Sequence, residues 1–128
     1  MNRYKAVVAT TSKIEESWGG TSEFTLNALN QLASSATGKP VLLDFDNDRQ
    51  IGVVESASVD GNRLLAVFNL DCDIVNPACR LVPGFTVELD EWKEGDNIHR
   101  IIDNVTMLSC GLTIKPLEID LPEIERVE

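Results

Sequence analysis

The chain carries one histidine, His99, placed just after the turn-forming run Gly95-Asp96-Asn97. Acyl-transfer chemistry needs such a base within hydrogen-bond reach of a hydroxyl or thiol, with a third group to orient the ring. Ser109 and Cys110 are the nucleophiles downstream, but spacing alone does not bring them to the imidazole, so a solvated strand-end histidine is the simpler expectation. Cys72 and Cys79 lie with Asp71 and Asp73 in LDCDIVNPACR. Zinc sites use ligand pairs two to four residues apart with a second pair downstream, and this spacing is too wide. The three thiols, Cys72, Cys79 and Cys110, are expected to pack reduced. Asp44, Asp46 and Asp48 alternate, which in a strand would put three carboxylates on one face. No later Glu completes a calcium loop, and the glycines fit neither phosphate-binding spacing. No cofactor and no metal are expected.

Period and turn chemistry suggest how these residues are held. Residues 4–9, YKAVVA, read as a buried opening strand. Gly19-Gly20 then breaks the chain, Thr21 or Ser22 can cap a helix, and Glu23 suits its first turn. Leu26, Leu29, Leu32, Ala33 and Ala36 continue the helical spacing, and Gly38 stops it. From residue 41 the period becomes two. Val41 to Phe45, Ile51 to Val59, Arg63 to Leu70, Leu81 to Trp92 and Ile98 to Ile114 read as strands, with Asp60-Gly61-Asn62 as a hairpin turn. Phe85, Val87 and Leu89 are expected inward. The last strand is expected to bend or bulge, because its apolar face switches between Ile102 and Leu108 and it contains Gly111. One helix among about six strands predicts an α+β, β-dominated fold, a small closed or partly closed antiparallel barrel over residues 1–116. Residues 117–128 read as an acidic extended arm.

With 128 residues the chain is one domain, and 11 Lys and Arg against 21 Asp and Glu give a net charge of 11 − 21 = −10. Scattered basic residues argue against nucleic acid, and no apolar run is long enough to span a bilayer. The N-terminal segment lacks the apolar core of a secretion signal, so the protein is expected to stay in the cell that makes it. The odd thiol count agrees with that setting.

Four segments in succession, KPVLLDFDNDRQIGVV, GNRLLAVFNL, LVPGFTVELDEW and IIDNVTMLSCGLTIKP, resemble the phage prohead protease family of capsid-maturation serine proteases. That family shows an apolar strand ending in His-Asp, a turn and Ile-Gly. A hairpin with Gly follows, then a Leu-Ser-Ile-Gly-Phe strand ending near Glu-Trp, and a final strand running to a proline. The likeness covers residues 40–116. Phe45 stands at the family's catalytic histidine, Val82 at its nucleophilic serine, and Ser109 about where a supporting carboxylate is usual. Neither phenylalanine nor valine can move a proton or attack a carbonyl. The resemblance therefore implies a degenerate copy of a prohead-protease-like barrel without catalytic residues.

It also implies a setting. The expectation is a non-enzymatic virion structural protein that decorates or cements the capsid or assists its assembly. It would be made in the host cytoplasm, bind the major capsid protein, and form a homo-oligomer on the shell, without nucleic acid, membrane or small-molecule substrate. Trp18 beside Gly19-Gly20, and Leu117, Ile119 and Leu121 in the arm, are the candidate interface residues. One alternative is an active serine-type maturation protease using His99 with Ser109 or another serine. The other is an unrelated small intracellular binding domain.

Overall fold

A computed structural model describes residues 2–15, 20–93, 99–114 and 121–127, with the side chains of residues 15 and 88–93 left aside. The strands are β1 (Asn2–Thr10), β2 (Ile14–Glu15), β3 (Thr21–Phe24), β4 (Pro40–Leu43), β5 (Gln50–Asp60), β6 (Arg63–Leu70), β7 (Arg80–Lys93), β8 (His99–Thr113) and β9 (Glu125–Arg126); the helix is α1 (Leu26–Ala36). All nine strands join one sheet ordered β2-β3-β8-β4-β5-β6-β1-β9, with β7 paired to β8 off this path.

The β-dominated α+β class holds, but the sheet differs from a closed antiparallel barrel in two ways. β7 and β1 approach one another without a hydrogen-bonded ladder between them, so among the described residues the sheet is open. It is also mixed, because β3 and β4 both run parallel to β8.

The helix starts later than its sequence predicts. Thr25, not Thr21 or Ser22, is the N-cap, and its Oγ1 accepts from Ala28 N at 3.0 Å. Residues Thr21–Phe24 pair instead with His99–Ile102, burying Ser22 and Phe24 on alternate positions. Cap-forming Thr, Ser and Glu residues look like a helix start, and tertiary pairing overrides that local preference. Leu26 turns outward, while Ala28, Leu29, Leu32 and Ala36 are fully buried. Burial of Leu29 and Leu32 contributes about 1.5–3 kcal/mol each.

α1 also stands in for a missing strand. On the edge of β8 opposite β7, β3 covers His99–Ile102 and β4 covers Cys110–Leu112. Between them, Val105 N donates to Gln31 Oε1 at 3.0 Å and Met107 N to Ser35 Oγ at 2.9 Å. Gln31 and Ser35 are one helical turn apart and so share a face, which satisfies donors that an unpaired strand would leave buried at a cost of about 1–3 kcal/mol each.

The β5–β6 hairpin forms as its turn residues predict, with Asp60 paired to Arg63 across Gly61-Asn62 and Gly61 at φ 61°. Leu64, Ala66, Phe68 and Leu70 all face the core. β8 does switch face. Asn104 has φ 52°, and the register with β7 slips between Gly84 and Phe85, leaving Leu108 as the extra, exposed residue. Phe85 and Val87 are half-buried against the core as expected; the Leu89 side chain lies outside the described residues.

Candidate functional site

Positions 45, 82 and 109 lie on one face of the sheet. β4 ends at Leu43, two residues earlier than predicted, and turns back on itself: Asp46 N donates to Leu43 O at 3.0 Å. The two central residues, Asp44 and Phe45, both have positive φ, 51° and 58°. Aspartate tolerates that conformation, whereas for phenylalanine it costs about 1–2 kcal/mol. The aspartates therefore do not line a strand face. All three are exposed in the turn, where Asp46 Oδ1 accepts from Asp48 N at 2.9 Å.

Phe45 is held by what its ring covers. In the β7–β8 ladder Val82 pairs with Gly111 and Gly84 with Ser109, so these four residues point to the same side. The Phe45 ring lies on the bare backbone of the two glycines. A Cβ on Gly111 would overlap it, meeting Cζ at 2.5 Å, and one on Gly84 would meet Cε1 at 3.1 Å and Ser109 Oγ at 2.8 Å. The ring stays 41% exposed. Glycine within a strand is a recognised sign of close approach, and Gly84 with Gly111 is the sequence signal that foretells this shelf. Of the three side chains gathered here, only Ser109 carries a polar group, and the sole histidine is elsewhere.

His99 sits at the opposite end of β8. It pairs with Thr21 in the parallel β3–β8 ladder, and Glu23, two residues on, shares Thr21's side. Thr21 Oγ1 lies 2.6 Å from His99 Nδ1, and His99 Nε2 lies 2.8 Å from Glu23 Oε1. The histidine side chain is 17% exposed and that of Glu23 31%. A carboxylate only accepts, so Nε2 carries a proton; in the neutral imidazole Nδ1 accepts from the Thr21 hydroxyl, and in the imidazolium it donates to it. His99 is thus engaged on both nitrogens, not the solvated side chain its turn suggests. Its partners come from 78 and 76 residues away, a separation no local pattern reveals.

The remaining candidates are dispersed. Cys110 is buried, with its thiol pKa pushed up to about 12 by desolvation; burial also raises Cys79, and Cys72 is exposed. Among the described residues no cluster of His, Cys, Asp and Glu could hold a metal ion, and no helix is long and apolar enough to cross a membrane. Trp18, Leu117 and Ile119 lie outside the described residues. Leu121 is 3% exposed, and its carbonyl accepts from Arg80 Nε at 2.8 Å. The end of the chain then adds to its own sheet, with Arg126 opposite Tyr4 and Glu125 opposite Lys5. Arg126 further binds Asp73 at 2.9 Å and Asn2 at 2.8 Å.

Comparison of the chain with protein-family models, with curated proteins and with solved structures finds no match.

Proposed function

We propose that this chain is a non-enzymatic structural protein of a phage virion, a capsid decoration, cement or assembly component built on an inactive prohead-protease-like scaffold. The observation that carries the reading is the convergence of positions 45, 82 and 109 on one face of the sheet. Three positions far apart in sequence, matched to a catalytic constellation by motif order alone, occupy one neighbourhood in space, where an aromatic ring covers two glycines. Phe45 and Val82 carry no group that can move a proton or attack a carbonyl, and at this half-exposed face the Phe45 ring gains apolar contact with the two glycines instead. On this reading the open sheet corresponds to the family's barrel, and its surface contacts the major capsid protein in many symmetry-related copies.

The alternative of an active serine protease using His99 and Ser109 is disfavoured by their placement. They are ten residues apart on the same strand, on the order of 30 Å at about 3.3 Å per residue. The test is incubation of the purified chain with its capsid protein and a serine-reactive phosphonate. The proposal expects no adduct on Ser109 and no cleavage; a phosphonylated Ser109 refutes it.

A further inference from the structure

We infer that Thr21 is a base-activated nucleophile, able to take an acyl group from an activated carboxylic ester through the chain Thr21–His99–Glu23. This site lies beyond the reading above, at the other end of β8 from Phe45. With the imidazole neutral its hydrogen bonds run in the productive sense: hydroxyl to Nδ1 at 2.6 Å, and Nε2–H to carboxylate at 2.8 Å. The two ring nitrogens are exchanged relative to the serine-protease triad, but either lone pair can receive a proton. Backbone pairing of Thr21 with His99 fixes donor and base on adjacent strands, so their approach does not depend on a mobile loop. The low exposure of the imidazole weakens competition from water for Nδ1.

In the transfer, Thr21 Oγ1 forms a bond to the ester carbonyl carbon while its proton passes to His99 Nδ1. Collapse of the adduct breaks the bond to the leaving oxygen, which takes that proton, and Thr21 is left as an acyl ester, one per chain. Glu23 touches neither reacting atom. It is a positioning residue, holding the ring in the tautomer that leaves Nδ1 free to accept. A hydrogen-bonded clip between strands would use the same three groups but would give Thr21 no special reactivity.

The experiment treats the full chain with p-nitrophenyl acetate and measures acetylation residue by residue by peptide mapping. Thr106, an exposed hydroxyl on β8, serves as the internal reference. General-base catalysis predicts acetylation of Thr21 at least ~100-fold faster than of Thr106, with a rate that rises with pH as one imidazole loses its proton. T21S retains the adduct and T21V abolishes it. H99Q reduces the rate to that of Thr106, and E23Q slows it while the imidazole pH dependence remains. Should H99Q fail to fold, the pH profile of the wild-type chain decides the point. Acetylation of Thr21 no faster than of Thr106, or a rate that does not follow an imidazole ionisation, overturns the inference.

Discussion

Substituting Gly111 by alanine tests whether the Phe45 shelf is a packed feature or a surface accident. The new Cβ would overlap the ring, at 2.5 Å from Cζ, so the ring must leave. Phe45 is 41% exposed; covering the remainder of a side chain of roughly 200 Å² removes about 120 Å² from water. At about 25 cal/mol per Å² that is about 3 kcal/mol, or about 2 after allowing for a compact denatured state. G111A and F45A should therefore each destabilise by about 2 kcal/mol, because both forfeit the same contact. Removing the ring removes the three nearest contacts of a Cβ at 111, and alanine restricts the unfolded chain, so G111A in the F45A background should be neutral or stabilising by up to about 1 kcal/mol. The coupling in this cycle, read from urea denaturation followed by circular dichroism, should be about 2 kcal/mol. Additivity within about 0.5 kcal/mol would refute the shelf. F45G should be less damaging than F45A by about 1 kcal/mol, since glycine relieves the left-handed strain at φ 58°.

Other outcomes follow from single contacts. Q31A, which removes the acceptor for Val105 N, should cost about 1–3 kcal/mol in the same assay and raise amide exchange at Val105 selectively. The Asp103 carboxyl titrates below its ordinary value of 3.8 because it accepts from Asn27, from the Asn104 amide and from Thr25. A depressed folded-state pKa stabilises above pH 3.8 and loses that contribution as pH falls through the lower folded value. D103N should accordingly lower stability near neutrality and flatten the acid limb of the stability curve. With a thiol reagent, Cys72 should react at once, Cys79 slowly, and Cys110 only on global unfolding.

The elements legible in the sequence are those whose signals are local. Asp60-Gly61-Asn62 contains its own turn, and Leu64, Ala66, Phe68 and Leu70 declare their shared face by period. The helix end at Gly38 reads equally well. β3 was hidden because Thr21, Ser22 and Glu23 are the residues a helix start favours, while the parallel pairing that makes them a strand is set 78 residues away. Asp44, Asp46 and Asp48 alternate like a strand, yet a positive φ at Asp44 and Phe45 ends β4 before any of them. The Phe45 shelf was half-legible: motif order placed 45, 82 and 109 in one constellation, and the two strand glycines mark where a ring can lie against backbone. The Thr21–His99–Glu23 chain was not legible, since His99 looks like a turn-flanking residue until the β3–β8 register is known. Leu121, read as an interface candidate in an acidic extended arm, is buried in its own domain, where Arg80 binds its carbonyl and Glu125 and Arg126 pair with β1.

The central claim, a shell component without hydrolytic function, is tested most directly by counting copies. Quantitative mass spectrometry of purified mature particles, sedimented through a density gradient, gives the ratio of this chain to the major capsid protein. The account predicts a fixed, near-stoichiometric ratio that survives washing. Trace amounts in mature particles, together with enrichment in immature shells whose capsid protein is being cleaved, would contradict it.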